Sequence, residues 1–150
     1  MNNIKKFLVE AKKNTYANDS GQIDSSRLRS YDLKYSDEDY VYVDSYFGTH
    51  SFSGQEIIWH KEEPVWSMNY YGDVLSSDFK SSFLKEALMH PDLELPYRGQ
   101  PLYRKGDYTY IMEIVGDFDK FSGYEKILFR DSLTYELFFH GGKIIDEHFD

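Results

Sequence analysis

Apolar residues recur every three to four positions in two short segments of the chain, and this period predicts two amphipathic helices. The first helix is expected over about residues 4 to 16, with an apolar face made of Ile4, Phe7, Leu8 and Ala11. The second is expected to begin at Ser77 or Asp78 and to end before Pro91. Its apolar face comprises Phe79, Phe83, Leu84, Ala87 and Leu88.

Six other segments alternate with a period of two residues, which is the pattern of β-strands that bury one face. They are Tyr40 to Phe47, Gly54 to His60, Val65 to Tyr71, Tyr108 to Val115, Tyr124 to Arg130 and Thr134 to His140, with a short edge piece near Lys143 to Ile145. Segments 18–39 and 92–106 are polar or rich in proline and glycine, so they are predicted to be irregular connections.

The two halves of the chain resemble each other in sequence. Residues 52–54, Phe-Ser-Gly, recur at 121–123, and the residues that follow also correspond. The matched pairs include Glu56 with Glu125, Trp66 with Tyr135, and Gly72 with Gly141. Such a repeated sequence pattern predicts an internal duplication. We therefore expect an α+β fold in which a helix-plus-three-strand unit is duplicated, forming an antiparallel sheet with helices packed on one face. Residues 1–150 are predicted to form a single domain, with repeats at about 4–75 and 76–145.

Composition narrows the classes of function. The chain has 150 residues, a formal net charge of −9 and no cysteine, so disulfides and thiolate metal sites are excluded. Clustered lysine and arginine are missing, and we expect no nucleic-acid binding by this domain alone. No apolar run is long enough to span a membrane and no secretory signal is evident, which predicts a cytoplasmic protein without membrane partners. Aromatic residues make up 18% of the chain, a proportion typical of recognition surfaces and also of twisted sheets.

Glu56 and Glu125 hold equivalent positions after the two Phe-Ser-Gly bends. Paired carboxylates can act as acid and base or hold a hard cation. Equally, each glutamate can accept backbone or tyrosine hydrogen bonds and so serve the fold. The five histidines show no metal-binding spacing and no nucleophile motif is present, so no metal, cofactor or catalytic residue is predicted.

Differences between the two halves indicate where a function was added. Asn69 and Tyr71 in the first half correspond to Phe138 and His140 in the second, and strand alternation places each pair on one face. Only the second half contains Arg98, in the sequence Pro-Tyr-Arg-Gly, and its guanidinium suits a carboxylate or phosphate. The alternatives are a structural salt bridge for Arg98 and a strand-end hydrogen bond for His140.

Four strings of the sequence resemble the uncharacterised bacterial family DUF5680. They are PVWSMNYYG at 64–72, FSGQE at 52–56, PYRG at 96–99 and FHGG at 139–142, and the resemblance spans roughly Phe7 to Ile144. It implies a domain that occurs alone or behind an N-terminal helix-turn-helix of the XRE type, and it implies no particular activity. Since only one helix is predicted at the N-terminus here, this chain is expected to sense a ligand without binding DNA.

The leading hypothesis is a non-catalytic domain that binds a small molecule or senses an effector of unknown identity. An acidic protein-interaction module with a basic-surfaced partner is one alternative, and a hydrolase or isomerase using Glu56 or Glu125 with His140 is the other. The predicted ligand-binding residues are Tyr42, Glu56, Trp59, Trp66, Asn69, Tyr71, Tyr97, Arg98, Glu125 and His140.

Overall fold

Among the described residues, nine strands form one continuous antiparallel sheet, accompanied by two short α-helices. The structure is a computed structural model that describes residues 2–149. The first half contains α1 (Asn2–Lys13), a 3-10 turn (Tyr16–Asn18), β1 (Gln22–Ile23), β2 (Tyr31–Asp37), β3 (Tyr40–Phe47), β4 (Ser51–His60) and β5 (Glu63–Val74). The second contains α2 (Ser81–Leu88), β6 (Leu102–Lys105), β7 (Tyr108–Asp117), β8 (Lys120–Phe129) and β9 (Ser132–Lys143).

The spatial order of the strands is β1-β2-β3-β4-β5-β9-β8-β7-β6. Each half of the chain forms a meander, and the two meanders join where β5 pairs with β9, from Trp66 opposite Lys143 to Val74 opposite Tyr135. At this joint Gly141 lies against the backbone carbonyl of Ser67, leaving no room for a side chain. The joint makes the halves one sheet with a shared core.

The predicted fold class is wrong. We expected an α+β fold built from two helix-plus-three-strand units, but residues 2–149 are mostly β, with helices of only 12 and 8 residues beside nine strands. Strands β1, β2 and β6 lie in segments that were expected to be irregular. Strands β1 and β6 are the two edges of the sheet and β2 lies next to one edge. Because strands near an edge are largely solvated, they need few apolar residues, and their sequences resemble loops.

The remaining element boundaries differ in smaller ways. The segment predicted as Tyr40 to Phe47 matches β3, whereas the other five predicted strands are longer in the structure. The expected edge piece at 143–145 is not a separate strand, because Lys143 ends β9. Phe79 precedes α2 instead of lying in it, since its amide donates to the carbonyl of Ser76 and closes a turn there.

Both helices cover the same face of the sheet. Phe7 of α1 stacks on Tyr40 of β3 at 5.2 Å, and Phe83 of α2 packs on Tyr108 of β7 at 5.2 Å between ring centroids. The predicted apolar faces are confirmed at their centres, because Leu8, Ala11, Phe83, Leu84, Ala87 and Leu88 are all buried. Neither helix within residues 2–149 has both the length and the apolar character that a membrane span requires.

Trp66 lies at the centre of the covered face. Its side chain is 1% exposed, and its ring stacks on Phe118 and Phe121 at 5.1 and 5.7 Å. The indole N–H donates to the carbonyl of Phe118 at 3.1 Å. Burial of the ring with its N–H bonded to a backbone carbonyl is the usual arrangement of a core tryptophan.

Candidate ligand-binding site

Two concave regions lie on opposite faces of the sheet. The first, here called the inner cavity, has a volume of about 220 Å³ and lies between the sheet and the two helices. Its polar wall includes Lys12, Tyr42, Asp44, Glu56, Tyr70 and Arg98, and its rim includes the exposed residues Thr49 and Ser81. The second, the outer groove, has about 810 Å³ and crosses the uncovered face at Gln55, Asn69, Tyr71, Val115, Phe138 and His140.

Glu56 is buried because strand alternation places it on the covered face with Ile58. One carboxylate oxygen, Oε1, accepts hydrogen bonds from Lys12 Nζ and from the hydroxyl of Tyr42, both at 2.7 Å. Burial lowers the pKa of Lys12, and Arg98 adds to this effect, whereas Glu56 opposes it. The three side chains therefore tie α1 to β3 and β4 through one buried ion pair.

Glu125 occupies a similar setting in the second meander. Arg98 donates to both of its oxygens, at 3.0 Å from Nε and 2.8 Å from Nη2, and the hydroxyls of Tyr110 and Tyr135 donate at 2.5 and 2.7 Å. Burial favours the neutral form, but Arg98 and these hydrogen bonds outweigh it and lower the pKa of Glu125. The Gly99 amide donates to Tyr110 at 2.9 Å and so fixes the loop that carries Arg98.

Asp44 is the third buried carboxylate, and it faces the inner cavity from β3. Its Oδ1 accepts a hydrogen bond from the hydroxyl of Tyr70 at 2.6 Å. Burial and the nearby charge of Glu56 raise the pKa of Asp44 to about 7, against the opposing effects of Tyr70, Lys12 and Arg98. Asp44 therefore titrates near neutral pH, unlike an ordinary aspartate.

Several polar atoms of the cavity wall have no hydrogen-bond partner among residues 2–149. They are Oδ2 of Asp44, Oε2 of Glu56 and Nη1 of Arg98. In this part of the chain no fully buried side-chain nitrogen or oxygen lacks a partner. These three atoms are therefore not sealed in protein and open into the cavity that their side chains line.

The predicted site residues are divided between the two faces. Tyr42, Glu56 and Arg98 line the inner cavity, and Glu125 lies directly behind Arg98. Asn69, Tyr71 and His140 line the outer groove, where Asn69 pairs with His140 across β5 and β9.

The remaining three predicted residues line neither concave region. Trp66 and Tyr97 belong to the core, each at most 2% exposed, and Trp59 is half-buried. The ten predicted ligand-binding residues therefore do not meet in one site, and His140 lies on the opposite face of the sheet from both glutamates.

Sequence reasoning missed two charged members of the inner cavity, Lys12 and Asp44. Lys12 lies outside the apolar face predicted for the first helix, yet it is only 8% exposed because its ammonium reaches Glu56. Asp44 carried a usable signal, because alternation places this charged residue in a row of tyrosines, between Tyr42 and Tyr46. A carboxylate on an aromatic strand face indicates either a buried hydrogen-bond network or a binding site.

A model of the family DUF5680, described as a domain of unknown function, matches residues 44–144. The chain belongs to the DUF5680 family. The matched region of this DUF5680 protein includes the acidic and arginine residues of the site, while Lys12 and Tyr42 precede it. Searches of curated proteins and of solved structures find no match.

Proposed function

We propose that this protein binds a small polar molecule in the inner cavity. The observation that carries the proposal is that Asp44, Glu56 and Arg98 each turn a polar atom without a hydrogen-bond partner among residues 2–149 into one partly enclosed space. Preformed concave sites with few convergent polar groups and aromatic walls are typical of ligand pockets. Burial of acidic and basic side chains in the same wall costs desolvation free energy, and the contacts of a bound ligand offset part of this cost.

The size of the cavity limits the ligand. A volume of about 220 Å³ lies below the roughly 300–1,000 Å³ of sites for drug-sized molecules. It equals the liquid volume of roughly seven water molecules at ~30 Å³ each. A compound as large as an amino acid or a short amine fits this space, whereas an intact nucleotide is too large for full enclosure.

The proposal is tested by thermal-shift screening of small amino acids, amines, carboxylic acids and polyols. A true ligand stabilises the folded state and raises the melting temperature as its concentration rises. Thr49→Trp, at the exposed rim, should block entry and abolish the shift. Ser36→Trp adds the same ring at an exposed strand position outside both concave regions and should retain the shift. No shift with any compound, or equal shifts in both variants, would refute the assignment.

A second candidate function is protein interaction through the outer groove, favoured by its exposed apolar pair. Tyr71 and Phe138 are neighbours across β5 and β9, and they are 51% and 54% exposed. With a formal net charge of −9, the protein favours a partner with a basic surface.

The second function is tested by measuring whether a protein partner bound by the wild type is also bound by variants of the outer groove. A partner that uses it is retained by the wild type and lost by Tyr71→Ser/Phe138→Ser. Leu28→Ser/Phe149→Ser removes two apolar groups that are 89% and 95% exposed elsewhere, and it should keep the partner. Equal retention by both double variants would remove the outer groove from consideration.

A further inference from the structure

The charges around the inner cavity do not balance. Five side chains of lysine, arginine, aspartate or glutamate are buried there or directly behind it: Lys12, Asp44, Glu56, Arg98 and Glu125. Lys12 pairs with Glu56 at 2.7 Å, and Arg98 pairs with Glu125 through two hydrogen bonds. Among residues 2–149 no ion pair includes Asp44. When all five groups are ionised, the site carries one negative charge without a protein cation.

We infer that the ligand of the inner cavity is a small organic cation whose ammonium group pairs with Asp44. The inference rests on the proposed function and names the chemical class of its ligand. Oδ2 of Asp44 opens into the cavity and accepts no hydrogen bond from the described residues, so it is free to accept one from an ammonium group. Oε2 of Glu56 offers a second acceptor in the same space.

The aromatic walls also favour a cation. Tyr46 lies two residues from Asp44 on the same face of β3, and it meets Tyr16 edge to face at 6.5 Å. Aromatic faces attract ammonium groups, and the attraction grows when the cation is removed from water. The Arg98 guanidinium already lies 5.8 Å from the ring of Tyr70, so this cavity places a cation against a ring in the protein itself.

An anion is disfavoured by the same arrangement. Lys12 and Arg98 are already paired with glutamates. An incoming carboxylate would therefore approach the carboxylates of Asp44 and Glu56, whose negative charges are only partly compensated. The charged and titratable groups that face Asp44 are Glu56 from β4, Tyr70 from β5, Lys12 from α1, Arg98 from the loop before β6, and Tyr42 and Tyr46 from its own strand. Of the two cations among them, neither forms an ion pair with Asp44.

Three four-carbon probes test the inference: n-butylamine, 1-butanol and butyrate, which carry positive, zero and negative charge. Each is titrated into the intact protein at millimolar concentration and followed by NMR shifts of backbone amides. We expect n-butylamine to shift the amides around Asp44 and Thr49 and to bind at least about tenfold more tightly than the other two. If 1-butanol or butyrate binds as tightly, or if n-butylamine does not bind, the cation inference is overturned.

The outcomes separate this inference from the proposed function. Binding of a neutral or anionic compound that is blocked by Thr49→Trp would retain the cavity as a site and reject the cation. Asp44→Asn keeps an acceptor for Tyr70 but removes the charge, and it should weaken n-butylamine at least about tenfold. Asp131→Asn removes the same charge from an exposed turn and should leave binding unchanged. Equal losses in both variants would show nonspecific attraction to an acidic protein and overturn the inference.

The pH profile of the wild type gives a test that needs no variant. The pKa of Asp44 lies at about 7 in the free protein, and the amine requires the ionised carboxylate. Affinity should therefore fall as the pH drops below about 7, approaching tenfold for each further pH unit. Because an alkyl ammonium keeps its charge here, as lysine does with a pKa of about 10.4, the loss reports on the protein. A flat profile between about pH 5 and pH 8 would contradict the pairing with Asp44.

Discussion

Replacement of Arg98 by methionine should strongly destabilise the protein, because it leaves Glu125 charged and buried without a cation. Arg98 is 9% exposed and Glu125 is 0% exposed, and the two groups share two hydrogen bonds at 3.0 and 2.8 Å. Removal of one partner from a buried ion pair typically costs about 3–5 kcal/mol. That loss is a large part of the roughly 5–15 kcal/mol by which a domain is stable.

Urea unfolding of the wild type and of three variants measures the effect. The double variant Arg98→Met/Glu125→Gln removes both charges, and it should be more stable than Arg98→Met alone. Arg130→Met is the matched control, since Arg130 is 72% exposed and lies 3.7 Å from Asp107. An exposed pair of this kind contributes about 0–1 kcal/mol.

The pH dependence tests the cause of the Arg98→Met effect. In the wild type the pKa of Glu125 is lowered, so its contribution is present above the unfolded pKa and is lost as pH falls through the folded one. In the Arg98→Met variant, burial without a cation should raise the pKa of Glu125. The loss of stability relative to the wild type should therefore become smaller as the pH falls from about 7 to about 5. A loss at about pH 7 no larger than that of Arg130→Met, or a loss independent of pH, would refute the reasoning.

Three further predictions concern stability, each measured by urea midpoints. Trp66→Ala should lower the free energy of unfolding by about 3–5 kcal/mol, because it removes the buried ring and its hydrogen bond to Phe118. A loss no larger than that of Trp66→Phe would contradict this packing. Asp44, with a pKa raised to about 7, contributes stability that is present below its unfolded pKa and lost as pH rises through 7. Asp44→Asn should therefore reduce the fall in the free energy of unfolding between about pH 5 and pH 8. If the fall is unchanged, groups other than Asp44 cause it. Gly141→Ala should destabilise by about 1–3 kcal/mol or more because its Cβ would collide with the Ser67 carbonyl, and a wild-type midpoint would contradict the close β5–β9 contact.

Alternation and helical period determined much of the secondary structure from sequence alone. The period of two placed β3 at its observed bounds, and the same alternation puts Trp66, Met68 and Tyr70 on one face of β5, which the structure shows to be buried. These patterns are local, because the side chains of a strand or helix share a face through backbone geometry alone. The same reasoning placed Asn69 and Tyr71 together, and the structure finds both in the outer groove.

Tertiary structure decided which faces and which charges come together. The pairing of β5 with β9 joins the meanders into one sheet, and helices on one side separate the inner cavity from the outer groove. A sequence pattern gives the face of each strand but not which side of the sheet the helices cover. For that reason Glu56 and His140 were grouped in one hypothesis although they lie on opposite sides.

The role of Arg98 also depended on long-range contacts. The sequence left a ligand contact and a structural salt bridge open, and the structure shows the salt bridge to Glu125, which lies 27 residues further along the chain. Likewise, the burial of Lys12 follows from an ion pair with Glu56 that spans 44 residues. Charge pairing in a core depends on three-dimensional proximity, so the sequence alone could not show that Asp44 forms no ion pair with any residue in 2–149.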